Sequence, residues 1–269
     1  MHAVAQNRVA RAVLMLIALS GSSAPAAAAD DPEMARPFVP SISIQPDSPG
    51  AAGQPGAGAA FPQSGGGFGA SGIVRCGGAI GTAQLILRTD LIVTAAHVLR
   101  GPQGPRGACV FEPAAGSAVA IDARSIRTGS AQPLSQPAAR DWGVARLAAP
   151  IAGARPYGLT APPSVPAAVV LYAGGHGRAD GLGASRCRAR HVIGTSAEGV
   201  REIAIDCNAA PGASGAALLD AGQRAWAIYV GYRSANPDQA QPFSHTHYNF
   251  AITIEGPFRG ALLAAAGRR

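Results

Sequence analysis

The chain has 269 residues, enough for one large domain or two small ones, and a formal net charge of +7. All of the positive side-chain charge comes from arginine, because the sequence contains no lysine, and the arginines are scattered along the chain. This distribution argues against a nucleic-acid-binding protein. No stretch reaches the roughly 18 uninterrupted apolar residues of a membrane-spanning helix, so we expect no membrane span.

Residues 1–29 have the organisation of an export signal. Arg8 and Arg11 precede an apolar run over 12–20, and small residues follow as far as Ala29. A basic start, a short apolar stretch and a small-residue end are the three parts of a secretory signal peptide. We therefore expect residues 1–29 to be removed and the protein to be periplasmic or secreted.

The next segment, residues 30–70, differs sharply in composition from the rest of the chain. It is rich in Pro, Gly, Ala and Ser and contains few aromatic residues. Such a segment cannot bury enough apolar surface to fold alone. We expect 30–70 to be a linker or propeptide, and 71–269 to form the folded domain.

From residue 71 onward, short apolar runs alternate with turns rich in Gly, Pro, Asp and Ser. Runs such as "LIVTAA", "AAVVLYAG" and "AWAIYVGY" predict many short antiparallel strands, as in a β sandwich or barrel. The closing "EGPFRGALLAAAG" predicts a short helix, with Pro257 near its start and Gly267 at its end. The fold class expected is all-β with a short C-terminal helix.

The four cysteines are even in number and contain no CxxC pair, which favours disulfides over metal binding in an exported protein. Cys76 and Cys109 bracket one stretch of chain, and Cys187 and Cys207 flank a predicted hairpin. Of the three possible connectivities, we predict these two pairs. Each would stabilise the fold by roughly 2 to 4 kcal/mol.

Three polar side chains stand at the ends of apolar runs: His97 in "TAAH", Asp141 in "DWGVARL" and Ser214 in "PGASG". Each alone is also compatible with an ordinary structural or turn residue. A nucleophilic serine needs a base within hydrogen-bond reach, and the base needs a group that fixes its tautomer. The residue types and their order, His then Asp then Ser, meet that requirement.

These motifs resemble the three catalytic motifs of the chymotrypsin/trypsin-like serine endopeptidases, in particular their bacterial exported branch, over residues 71–266. The resemblance implies two six-stranded antiparallel β-barrels, protein or peptide substrates, no cofactor and a monomer. It implies that Ser214 is the nucleophile, His97 the general base and Asp141 the orienting carboxylate. The backbone N–H groups of Gly212 and Ser214 would form the oxyanion hole.

The resemblance also points to a substrate pocket formed by Asn208, Tyr229, Val230 and Phe250. Tyr229 and Val230 are equally compatible with ordinary strand positions. Family members that prefer Arg or Lys carry a carboxylate six residues before the nucleophile, where this chain has the neutral Asn208, so we expect no strong preference for cationic residues.

Activation by a newly formed N-terminus is not expected. Trypsin-like zymogens pair the new terminal ammonium with an aspartate immediately before the nucleophile, and this chain has Ala213 there. A buried ammonium without a partner is costly. The oxyanion loop must then be shaped locally, for which Pro211 with its fixed φ is suitable.

Two other interpretations are compatible with parts of the sequence. An α/β-hydrolase could use Ser214, Asp238 and His245 in the required order, but its G-x-S-x-G elbow needs glycine where Ala216 stands, and long alternating helices are absent from the pattern. An inactive protease-like module that binds a partner is the second alternative. The complete set of three catalytic residue types argues against it.

The sequence "HTH" at 245–247 could place two imidazoles on one face of a strand, as in a metal site. The sequence offers no evident third ligand. We therefore expect no metal, and we assign no role to His176 or His191.

Overall fold

The structure is a computed structural model, and it describes residues 39–40, 69–135, 137–174, 182–236 and 243–267. The predicted export signal 1–29, most of the predicted linker 30–70, and Asp238 lie outside the described residues. For residues 39–40 the backbone alone is considered.

Seventeen strands and two α-helices follow one another in the described residues, with three short 3-10 turns between them. In chain order the strands are β1 (Val39–Pro40), β2 (Ser71–Cys76), β3 (Ala79–Leu85), β4 (Leu91–Thr94), β5 (Arg100–Gly101), β6 (Gly104–Pro105), β7 (Cys109–Pro113), β8 (Val119–Ala120), β9 (Arg127–Thr128), β10 (Gly143–Arg146), β11 (Gly158–Leu159), β12 (Ala167–Gly174), β13 (Leu182–Thr195), β14 (Arg201–Ile205), β15 (Ala217–Leu219), β16 (Arg224–Ser234) and β17 (His247–Thr253). The helices are α1 (Ala96–Leu99), between β4 and β5, and α2 (Gly256–Gly267), after β17.

The C-terminal half forms a closed barrel of six strands. Its order is β16-β15-β12-β13-β14-β17, and β17 pairs back onto β16 to complete the ring. Alternate residues of β12 and β14 are apolar and buried and pack into one interior cluster of the barrel: Val169, Leu171 and Ala173 on β12, and Ile203 and Ile205 on β14. This period of two is what places one face of each strand in a barrel core.

The N-terminal half forms a curled sheet with the order β8-β7-β2-β3-β4-β10-β9. One isolated antiparallel bridge, between Ile121 and Leu147, joins the residues that follow β8 and β10. The sheet forms a half-barrel beside the complete barrel, and the predicted all-β, double-barrel fold with a C-terminal helix is confirmed.

Helix α2 packs against the N-terminal sheet although it follows the C-terminal barrel in sequence. The Phe258 ring stacks on the Trp142 ring, with centroids 5.2 Å apart and planes 5° from parallel. Arg146 and Arg88 donate hydrogen bonds to carbonyls in the last turn, where cations are favourable. The helix therefore braces the start of β10, next to Asp141. Neither helix of the described residues is long and apolar enough to cross a membrane.

The structure joins Cys76 to Cys109 and Cys187 to Cys207, the two pairs predicted. The first bond links β2 to β7, whose residues Cys76 and Cys109 lie opposite one another. The second links β13 to the segment just after β14, which leads towards Ser214. Each half of the fold therefore carries one covalent link between neighbouring chain segments.

Candidate active site

His97 and Asp141 are brought together by the pairing of β4 with β10. Thr94 lies opposite Gly143 in this antiparallel pair. Because His97 follows β4 and Asp141 precedes β10, both leave the sheet at the same end. Asp141 Oδ2 lies 2.6 Å from His97 Nδ1, and Asp141 Oδ1 accepts the His97 backbone N–H at 2.9 Å.

The two side chains form a buried pair, with 1% of His97 and none of Asp141 exposed. A proton on Nδ1 bonded to the carboxylate leaves the other ring nitrogen, Nε2, as an acceptor. The His97 Nε2 atom is buried and has no hydrogen-bond partner in the described part of the chain. The histidine is thus oriented by one carboxylate and retains an acceptor position.

Ser214 is fully buried and stands in the tight connection before β15. Its hydroxyl donates to the carbonyl of Val230 on β16, with an Oγ to O distance of 3.2 Å. The serine also lies against the segment that carries the histidine. A Cβ added at Gly81 would come within 2.9 Å of both the Ser214 carbonyl oxygen and the Val98 side chain.

The residues before Ser214 form a turn whose geometry bears on the predicted oxyanion hole. The Ala213 N–H donates to the Ala210 carbonyl at 3.0 Å, with Pro211 and Gly212 at the two central positions. The φ of Gly212 is +96°. Proline followed by glycine at positive φ is the combination of a type II turn. A type I turn would reverse the peptide between Pro211 and Gly212, so this turn sets the direction of the Gly212 N–H.

Two polar side chains of β3, which the sequence analysis did not single out, hold this loop from the other half of the fold. Thr82 donates its N–H to the Ser214 carbonyl at 2.8 Å and its hydroxyl to the Gly212 carbonyl at 2.7 Å. Gln84 donates its amide to the Gly215 carbonyl at 2.9 Å. All of Thr82 and Gln84 is buried. The sequence did contain a signal for this role, because Thr82 and Gln84 are two polar residues on the same face of an otherwise apolar strand.

Gly215 permits a close approach between the two halves. Its φ is +90°, and an added Cβ would collide with Thr94 Oγ1 and the Thr82 carbonyl oxygen and lie 2.7 Å from Ala95 N. No other residue tolerates both the conformation and the contact. The glycine after Ser214 therefore lets the serine connection pack onto the end of β4, close to the histidine.

The structure places two of the predicted pocket residues near one another and adds a third. Asn208 is partly buried, and its side-chain Oδ1 atom is buried with no partner in the described residues. The Tyr229 hydroxyl donates to Asn249 Oδ1 at 3.1 Å, and Asn249 Nδ2 donates to the carbonyl of Cys207, which precedes Asn208, at 2.7 Å. These polar groups are neutral side chains, and Asn249 was missed by the sequence analysis.

Phe250 and Val230 lie apart from that group. Tyr229 belongs to the interior cluster of the barrel, whereas Val230 and Phe250 belong to the cluster shared with the N-terminal half. The Phe250 ring lies under the Arg233 guanidinium, 4.9 Å from the ring centroid. Val230 contributes its backbone carbonyl to the Ser214 hydroxyl. The structure therefore does not bring the Phe250 ring together with Asn208 and Tyr229.

The two histidines of "HTH" do not share a face. His247 is buried at the start of β17 and hydrogen-bonds through Nδ1 to the Ser234 hydroxyl, and burial lowers the pKa of His247. His245 is exposed, and its ring centroid lies 5.2 Å from that of His191. The pKa of His191 is lowered first by burial and then by the charge interactions with His245 and Arg190. Within the described ranges, no group of three or more metal-binding side chains occurs.

Several solved structures share this fold. The chain is similar to a Glu endopeptidase in complex with MPD, with 12% identity, a TM-score of 0.55, and coverage of 76% of this chain and 93% of that one. It is similar to the Rv3671c protease from M. tuberculosis in its active form, with 17% identity, a TM-score of 0.53 and coverage of 76% and 83%. It is also similar to a serine endoprotease from Yersinia pestis, with 12% identity, a TM-score of 0.51, and coverage of 74% of this chain and 63% of that one.

Identities this low show a common fold and nothing finer. No curated protein sequence matches the chain. The family model for the trypsin-like peptidase domain matches residues 77–228, which is more than half of the chain and includes the segments with His97, Asp141 and Ser214. The chain therefore belongs to the trypsin-like peptidase domain family.

Proposed function

We propose that the chain is an exported serine endopeptidase that hydrolyses peptide bonds in proteins or peptides through an acyl-enzyme on Ser214, without a cofactor. The observation that carries the proposal is the buried Asp141–His97 pair, which leaves His97 Nε2 as an acceptor, on a segment that packs against the Ser214 connection. The two disulfides and the signal-like residues 1–29 support export to the periplasm or the exterior.

In the proposed reaction, the Ser214 hydroxyl gives its proton to His97 Nε2 while Oγ bonds to the scissile carbonyl carbon. The Gly212 and Ser214 N–H groups stabilise the resulting oxyanion. The carbon–nitrogen bond then breaks, and His97 gives the proton to the departing amine. Water attacks the acyl-enzyme, His97 takes the proton of that water, and Ser214 leaves with the proton returned by His97.

The Ser214 hydroxyl donates its hydrogen bond to the Val230 carbonyl, so in the first step it must exchange this acceptor for His97 Nε2. A substrate N–H directed at the Val230 carbonyl would replace the serine as its donor. The hydroxyl could then turn towards His97 Nε2. Substrate binding and activation of the nucleophile are thereby linked through a single carbonyl. Asp141 stabilises the positive charge that His97 carries in the transition state.

We expect cleavage without a strong preference for Arg or Lys before the scissile bond. Asn208 is neutral, as are the Tyr229 and Asn249 side chains near it, and a buried cation without a balancing carboxylate is costly. The test measures kcat/KM for a peptide series that varies only at this position, with Ala, Leu, Phe, Glu, Arg and Lys. As the matched variant, Asn208→Asp supplies the missing carboxylate.

The variant should raise kcat/KM for the Arg and Lys peptides at least tenfold and leave the Ala peptide nearly unchanged. If the natural chain cleaved only bonds after Arg or Lys, the expected lack of preference for cationic residues would be wrong. Absence of cleavage of any peptide by the folded chain would instead favour the binding module.

A further inference from the structure

The two edges of β16 have different partners near the candidate active site. At this end of the strand, β17 pairs along one edge. On the other edge, β15 pairs as far as Ile228. Beyond that point, the same edge is occupied by β1, with Val39 opposite Tyr232 and Pro40 opposite Gly231. The chain's own N-terminal segment therefore covers an edge that β15 leaves open.

The sequence of β1 determines which of these residue pairs carries the hydrogen bonds. Antiparallel strands alternate between pairs that exchange two N–H···O bonds and pairs that exchange none. Pro40 has no N–H and cannot belong to a pair that exchanges both. Val39 and Tyr232 are therefore the hydrogen-bonded pair.

The register leads from this pair directly to the nucleophile. Two positions back along β16 from Tyr232 is Val230, whose carbonyl accepts the Ser214 hydroxyl. Tyr229, one residue further, accepts the Gly215 N–H at 2.8 Å. The serine connection and β1 thus follow one another along one edge of β16. A peptide paired in the direction of β1 runs towards Ser214.

We propose that Val39–Pro40 is a built-in competitor of peptide substrates, because it occupies the edge of β16 at Gly231 and Tyr232 that leads to Ser214. This inference rests on the proposed function. Strand addition recognises peptides through backbone hydrogen bonds, so a segment of the same chain and a substrate use the same groups. Tethered segments reach effective concentrations of about 1 mM, enough to compete with a weakly bound peptide.

The test uses the full chain with Ser214→Ala, so that nothing is hydrolysed. The probe is a fluorescein-labelled peptide, Arg-Pro-Phe-Val-Pro-Ser-Ile, which copies residues 36–42, and its Kd is measured by fluorescence anisotropy. Val39→Pro in the same background removes the N–H that pairs with Tyr232. Val39→Ala is the matched control, because it shortens the side chain and retains the N–H.

We expect the Val39→Pro chain to bind the peptide at least tenfold more tightly than the parent, and the Val39→Ala chain to bind like the parent. Kd values within twofold for all three chains, or no binding to any of them, would overturn the inference. The experiment measures peptide binding to a chain without its nucleophile. Its outcome therefore does not depend on whether the natural chain hydrolyses peptides. Failure of the competition likewise leaves peptide hydrolysis open to its own assay.

Discussion

Replacing Asp141 with asparagine should lower kcat by about four orders of magnitude, with little change in KM. The amide oxygen of the variant can still accept the His97 backbone N–H, so the local fold is preserved. Its amide nitrogen, however, would take the place of the oxygen that faces His97 Nδ1 at 2.6 Å. A donor there forces the ring proton onto Nε2, which can then no longer accept the Ser214 proton.

Steady-state kinetics with a cleaved peptide checks this expectation, and circular dichroism checks that the variant is folded. Asp122→Asn is the matched control, because Asp122 only accepts the Arg124 N–H at an exposed turn and asparagine can do the same. A fall in kcat of less than about tenfold for Asp141→Asn would contradict the role of Asp141.

The largest stability effect is expected at the ion pair between Glu202 and Arg233. Its side chains are 0% and 2% exposed, and the carboxylate accepts Arg233 Nε at 2.7 Å and a terminal guanidinium N–H at 2.9 Å. Glu202→Gln leaves the buried guanidinium without its counter-charge. We expect the free energy of unfolding to fall by about 3 kcal/mol, because breaking a buried pair exposes the full desolvation cost of the remaining charge.

Chemical denaturation of the variant measures this loss. The control is Glu198→Gln, which removes an ion pair to Arg140 whose side chains are both 41% exposed and should cost less than about 1 kcal/mol. Replacing Glu202 and Arg233 together by Leu and Met should recover much of the stability. Equal losses for Glu202→Gln and Glu198→Gln would contradict the account.

The main features of the site could be predicted because they depend on short motifs. His97, Asp141 and Ser214 stand next to strand ends, and the pairing of neighbouring strands brings His97 and Asp141 together. The turn before Ser214 was also predictable in outline, since Pro211 fixes one φ and Gly212 permits the positive one. Their roles in catalysis remain predictions.

The side chains that lie near Asn208 were harder to predict, because strand residues alternate between two faces. A register shift in the pairing of β16 with β17 lies between Tyr229 and Gly231. Such an irregularity changes which side chains share a face, and a displacement of one residue exchanges the faces. Phe250 was predicted for the pocket, whereas its neighbour Asn249 is the residue that contacts Tyr229.

The contact made by β1 had no usable signal in the sequence. Two residues, one of them proline, in a segment rich in Gly and Pro do not form a recognisable strand pattern. Thr82 and Gln84 were missed for a different reason. Their partners lie about 130 positions away, and only the packing of the two halves brings them together.

Intact-protein mass spectrometry after treatment with a fluorophosphonate shows whether Ser214 is an activated nucleophile. We expect one covalent adduct on the folded natural chain, located at Ser214 by peptide mapping, and none on Ser214→Ala. The Val39→Pro chain is treated in parallel, so that an occupied β16 edge is not mistaken for an unreactive serine. Folded natural and Val39→Pro chains that both stay unmodified, or an equal adduct on Ser214→Ala, would contradict the account.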